Sequence, residues 1–296
     1  MRGLHRPAGT LAAGGFDVEL GPGAAGWTWT GLRVLRLDPG GRSTFATGQF
    51  EVCVLPLSGG SCTLDAGGVT MRLEGRASVF ERVTDFAYVG RGTTLNLTSD
   101  AGCEVAVPMA RCTRSLPPRY GPAEDVSVEV RGAGPATRQV TNFLTPEVWG
   151  HADKLMCCEL LTPDGNWSSY PPHRHDDSPE CPVHNEEIYY FRIGRIGGTS
   201  YDPTGFGLHR TYTTDGEIDE NVVVRDGDVF LVPKGYHGPC IAAPGHPMYY
   251  LNVLAGPSAQ RSMAFCDDPT HHWVREAWDA MEPDPRCPMT SAAGPV

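Results

Sequence analysis

Apolar residues along this chain fall in short runs closed by Gly, Pro, Asp or Ser, and almost nowhere at the three-to-four spacing of an amphipathic helix. In the first half the runs 50–57, 62–64, 77–80 and 94–97 predict strands. After Pro117-Pro118 and a Gly/Pro-containing stretch to Pro135, a second series starts at Val140 and continues through 155–161, 187–193, 211–213, 221–224, 229–232 and 249–254. The pattern predicts an all-β chain in two parts, residues 1–125 and 126–296. Helical spacing is confined to the neighbourhood of Trp273 to Met281, and the closing residues 290–296 are expected to form a loose tail.

A length of 296 residues suits two such parts, each able to bury a core. The formal charge of −11, the absence of a Lys/Arg-rich run and a lysine set limited to Lys154 and Lys234 argue against nucleic acid as a partner. No apolar run approaches the length of a membrane span, so no membrane association is expected. Ten cysteines lack the paired spacing of a structural zinc site, and the first thirty residues carry no secretory pattern. A cytoplasmic location with reduced thiols serving as small buried hydrophobes is therefore expected.

Candidate chemistry lies in the second part. In an extended strand, residues two apart point the same way, so His173 and His175 can present both imidazoles to one ion while Arg174 faces away. Some sixty residues on, Pro233 and Gly235 provide a tight turn that brings His237 back over the same interior. Two carboxylates compete as the fourth ligand. Glu180 is closer to the His pair but lies in a Pro-Glu-Cys-Pro loop, whereas Glu187 opens a strand-like run, seven residues before Gly194. Glu187 is preferred because a strand holds a ligand more rigidly, with residues 177–185 as an inserted loop. Glu186 should then point outward. The order of these two segments resembles the paired motifs of cupins. The first half carries a faint copy around Glu51 and Gly75 without the histidines, and is expected to be a metal-free structural partner. The fold expected is a bicupin, two β-barrels of the double-stranded β-helix type.

A narrower resemblance is carried by residues 167–176, by Glu186-Glu-Ile-Tyr-Tyr-Phe-Arg192, by Arg210-Thr-Tyr-Thr-Thr-Asp215, by Val232-Pro-Lys-Gly-Tyr-His237 and by Tyr249-Tyr-Leu-Asn-Val253. Together they resemble the 5-deoxy-glucuronate isomerases of inositol catabolism. That resemblance implies a bicupin, a divalent metal in the C-terminal barrel, and conversion of 5-deoxy-glucuronate to 5-dehydro-2-deoxy-gluconate. A sister family isomerises a keto-deoxyuronate from pectin breakdown. Three positions depart from the family's habit: His209 stands for a usual Gln, Gly238 for a common Pro, and Ser262-Met263-Ala264 replace a usual Trp.

An aldose–ketose isomerisation moves hydrogen between adjacent carbons, and a metal gripping both oxygens would act as a Lewis acid. A site of His173, His175, Glu187 and His237 suits zinc first and manganese next, with iron, cobalt and nickel also compatible. Glu220, His209 and Tyr189 are the candidates for moving the proton. Arg210 is the candidate for the carboxylate of a small deoxyuronate, with a solvated ion pair as its alternative role, and Tyr236 is a second candidate contact. A cupin dioxygenase and a non-catalytic sugar-acid-binding cupin are the competing readings. A homo-oligomer is expected because the metal-free first half has no other evident task.

Overall fold

The computed structural model describes residues 3–296. The first half forms a six-stranded sheet in the order Arg119–Gly121, Phe86–Val89, Phe50–Gly59, Cys103–Arg111, Thr30–Leu37 and Val18–Leu20, covered by a four-stranded sheet, Gly41–Ala46, Thr94–Ser99, Cys62–Ala66 and Val69–Leu73. Residues alternate in and out along Thr94–Ser99, so Leu95 and Leu97 meet Val52, Val54 and Val107 from the facing sheet. This interior is lined by aliphatic side chains with Cys62 and Cys103 among them, and Val52 and Val54 bring no imidazole or carboxylate into it.

The second half repeats the plan. A seven-stranded sheet runs His5–Arg6, Val229–Val232, Glu186–Ile193, Met248–Ala255, Met156–Thr162, Arg138–Asn142 and Ser127–Arg131. Facing it are Asp219–Val224, Gly207–Tyr212, Tyr236–Ala242, His173–Arg174 and Cys266–Asp267. The division expected at residue 125 is crossed by the chain's own beginning, because His5–Arg6 pairs with Val229–Val232 and His5 meets Asp228 at 2.7 Å.

The larger sheets of the two barrels pack against each other through one shared apolar layer, in which Leu32, Val34, Leu55 and Leu57 meet Ile188, Tyr190, Leu251 and Val253. Glu186–Ile193, Met248–Ala255 and Met156–Thr162 are buried at every position. A strand covered on both faces has no reason to alternate, which is why these segments read as continuous apolar runs.

Two carboxylates tie the barrels reciprocally. Glu186 does point out of its own barrel, as alternation requires, but outward here is the other barrel: its carboxylate accepts from the backbone N–H of Thr28, Trp29 and Thr30 at 2.7, 2.7 and 2.9 Å. Glu51 does the same in the opposite direction, accepting from Asp153, Lys154 and Leu155 at 2.8, 2.5 and 2.7 Å. Glu51 is thus the counterpart of Glu186 rather than of Glu187. Arg76 pairs with Glu159 and Arg192 with Glu104 in the same buried layer.

Four expectations need correction. Residues 77–80 form a turn instead of a strand, with Ala77 N–H donating to Glu81 and Phe80 N–H to Ser78 Oγ, while Val79 and Phe80 remain buried. The closing residues are pinned: Thr290–Ser291 pairs with Gly294–Pro295, and Gln139 Oε1 accepts from Met289 and Thr290 N–H at 2.8 and 2.9 Å. The inserted loop is a hairpin of Asp176–Ser178 and Cys181–His184. Finally, Cys181 and Cys266 are joined in a disulfide, although seven of the remaining cysteines are buried and free. The expected helix is short, Trp273–Ala277 followed by a 3-10 turn at Trp278–Ala280.

Candidate metal centre

The two sheets of the C-terminal barrel each deliver part of one cluster. Glu187 comes from Glu186–Ile193, where it pairs with Val232 and Leu254, and His237 comes from the facing strand Tyr236–Ala242, paired with His173. Gly235, at φ +86°, makes the turn that aims His237 inward. Ligand atoms of His175, Glu187 and His237 all lie within 4.8 Å of one another, and all three residues are buried. Glu187 Oε2 is 3.0 Å from Nε2 of both His175 and His237.

The fourth expected ligand stands beside this trio rather than in it. The His173 ring lies 4.3 Å from the His237 ring but 6.4 Å from that of His175, and its Nδ1 is 3.3 Å from the Pro171 carbonyl. His175 is oriented by Nδ1 at 2.9 Å from the Asn185 carbonyl, which leaves Nε2 free to face Glu187. Neither ring nitrogen of His237 has a hydrogen bond of acceptable geometry, despite the short approach of Glu187. A buried imidazole with unused lone pairs opposite an ionised carboxylate is what a divalent cation requires. Burial alone would raise the Glu187 carboxyl, but the close approach of His237 and the hydrogen bond from His175 outweigh it and hold it well below the usual range. Burial, helped by His237, holds His173 well below the ordinary imidazole range.

The other sequence candidates divide by the face they occupy. Arg210 and Tyr236, next to inward-facing residues on their strands, face away from the cluster: the Arg210 guanidinium lies 4.3 Å over the Tyr212 ring and 3.5 Å from Asp219, with its side chain 43% exposed. Tyr236 is covered by Arg174, 4.9 Å from its ring. Glu220 accepts from the backbone N–H of Leu4 at 3.2 Å and takes no part in the cavity. His209 and Tyr189 do face the barrel interior, their rings 5.2 Å apart. His209 Nε2 is 3.0 Å from Thr211 Oγ1, and burial together with His237 pushes the imidazole down to about 3. Tyr189 stacks on Tyr250 and its hydroxyl is 3.2 Å from Ser169 Oγ. Ser169 itself lines the cavity, in a backbone conformation of φ +47°. Gly238 makes that position possible, since a Cβ there would sit 1.8 Å from the Ser169 carbonyl oxygen. No Pro could occupy a residue with φ +96°.

His173, His175 and Glu187 open on a cavity of ≈ 640 Å³. Its wall includes Arg131, Arg138, Asn252 and Arg275, none of which motif spacing singled out, because they come from strands and a helix outside the two motifs. The signal available was a charged residue alternating with Val140 and Asn142 in a strand-like run.

Two β-barrels, the first with an aliphatic interior and the second holding a buried His-Glu-His cluster, define a bicupin with one metal-type site among the described residues. Residues 4–274 match the KduI/IolB family, and the chain belongs to that family. It is 40% identical over 271 residues to the 5-deoxy-glucuronate isomerase of Geobacillus kaustophilus, covering 89% of this chain and 92% of that one. Against the enzyme of the same name from Bacillus subtilis strain 168 it is 36% identical over 253 residues, covering 84% and 89%. Among solved structures, an IolB-like protein from Salmonella typhimurium LT2 superposes with a TM-score of 0.82 at 33% identity, over 92% of this chain and 98% of that one. The oxalate decarboxylase of Lactobacillus farciminis, at 12% identity and TM-score 0.58 over 82% and 81%, shares the fold. No helix among the described residues is long and apolar enough to cross a membrane.

Proposed function

We propose that this protein is a 5-deoxy-glucuronate isomerase, converting that aldose acid to 5-dehydro-2-deoxy-gluconate with the help of a divalent ion. The observation that carries this reading is the buried His175, Glu187 and His237 group at one wall of a cavity large enough for a six-carbon acid, in a chain of the KduI/IolB family. His175, Glu187 and His237, with His173 beside them, would hold the ion, and zinc is the first choice for a nitrogen-rich set, manganese the second. When bound, it would supply Lewis-acid polarisation of adjacent substrate oxygens.

The residues around the cluster set the protonation pattern. Glu187 stays ionised and serves as ligand rather than base. Burial and the neighbouring Glu187 charge push the Tyr189 phenol well up, so it keeps its proton and acts as a hydrogen-bonding group that orients Ser169, which reaches the cavity, rather than as acid or base. His209 stays neutral behind the cluster. An enzyme of intermediary metabolism would work in the cytoplasm.

Conversion followed by NMR, before and after chelation and with defined metals restored, tests the proposal. Metal-dependent appearance of the 2-deoxy-5-keto acid is expected. No conversion by fully metallated protein would refute it and turn attention to the keto-deoxyuronate of the sister family.

A further inference from the structure

We propose that Arg138 binds the carboxylate of the substrate, a step that rests on the uronate-isomerase reading above. Three guanidinium groups line the cavity. Two are already engaged: Arg131 is gripped by Glu129 through hydrogen bonds of 3.0 and 2.8 Å, and Arg275 by Asp267 at 2.5 and 2.7 Å. Arg138 differs. It is 4% exposed, its side chain donates one hydrogen bond among the described residues, from Nη1 to the Ala136 carbonyl at 3.0 Å, and its buried Nε has no acceptor.

An unpaired buried cation is costly, and a protein that keeps one gains from an anion brought by a ligand. The cost is visible in the guanidinium itself, which burial pushes down to about 10. The group is also held in place, lying 5.7 Å from the Trp278 ring on one side and against Ala136 on the other, so little ordering remains to be done on binding. Its strand, Arg138–Asn142, lies in the same sheet as Glu187, separated by Met156–Thr162 and Met248–Ala255. On the intervening Met248–Ala255 strand, Asn252 lines the same cavity with a buried Oδ1 that accepts from no group among the described residues. The substrate is thereby divided among three stations: its carbonyl end at the His175, Glu187 and His237 cluster, a hydroxyl donating to Asn252, and its carboxylate on Arg138. Arg210, the residue the sequence offered for this role, lies outside the cavity with its side chain half exposed beside Asp219.

The test compares metal-loaded wild type, Arg138→Met, Arg138→Lys and Arg210→Met, using 5-deoxy-glucuronate and the neutral analogue in which the carboxylate is replaced by CH2OH. Arg138→Met is expected to weaken binding of the acid by about 100-fold, the range for losing charge-assisted hydrogen bonds, while leaving the neutral analogue little changed. It should also raise the melting temperature of the ligand-free protein, since an unpaired cation is removed. Arg138→Lys should recover part of the preference for the acid, and Arg210→Met should retain all of it. Equal binding of the acid by wild type and Arg138→Met, or equal losses for acid and neutral analogue, would overturn the assignment. Should wild type isomerise no deoxyuronate, the functional reading fails separately, and calorimetric titration with glucuronate on the same variants still decides the role of Arg138.

Discussion

At the residue scale, the alternation of a strand settles most of the site. His175, Glu187 and His237 face one interior and converge there, while Arg174, Arg210 and Tyr236 face away from it. His237→Ala should lose metal and lower turnover by about 10³-fold or more, while circular dichroism shows an intact fold; metal analysis of the purified variant checks this. Retained metal together with full activity would contradict it. His209 gives a pH prediction. Its folded-state pKa of about 3 lies below the unfolded value of 6.5, so the unfolded chain binds the extra proton between those limits. Stability is therefore fully present above pH ~6.5 and falls as pH drops toward ~3. His209→Gln, which keeps a polar side chain but cannot titrate, should flatten that acid limb in melting curves recorded across the window. The motifs made the metal cluster legible because two-residue periodicity is local. Arg138 was not, because its significance lies in the absence of a partner, and a missing ion pair has no sequence signature.

At the scale of elements, the strands Glu186–Ile193 and Phe50–Gly59 each carry, at the first and second position respectively, a carboxylate that satisfies three backbone N–H groups of the opposite barrel. Replacing Glu186 by Ala strands those donors in an apolar layer and should cost about 3 kcal/mol, measured by urea unfolding, with Glu51→Ala similar. A change below about 0.5 kcal/mol would show the groups rehydrated instead. The sequence announced these strands by their apolar runs, yet the carboxylates looked like a degenerate metal motif at Glu51 and a solvent-facing residue at Glu186. Alternation tells which face a side chain takes, not what lies beyond that face. The disulfide between Cys181 and Cys266 fastens the inserted hairpin to the strand that pairs with Arg174. Reduction should speed amide exchange in Asp176–Ser178 and Cys181–His184 and leave Glu186–Ile193 unchanged, as read by hydrogen-exchange mass spectrometry. Spacing could not foretell that pair, because its partners stand 85 residues apart.

At the scale of the whole molecule, one apolar layer joins both barrels, so calorimetry should show a single cooperative transition rather than two. Two separated transitions would mean that the layer contributes little. The N-terminal barrel has a task within one chain, covering the sheet that carries Glu187 and receiving the Glu186 carboxylate, which removes the premise on which a homo-oligomer was expected. The all-β class and the paired plan could be read from turn residues and apolar runs; the crossing of His5–Arg6 could not, since two residues carry no periodicity. That crossing bears on how the protein is made. Thr28 to Thr30 wait for Glu186, and His5–Arg6 waits for Val229–Val232, so these segments are made well before the partners that give them their place. A nascent chain arrested before residue 229 would present an unpaired sheet edge and half of an apolar layer to the cell's quality-control machinery.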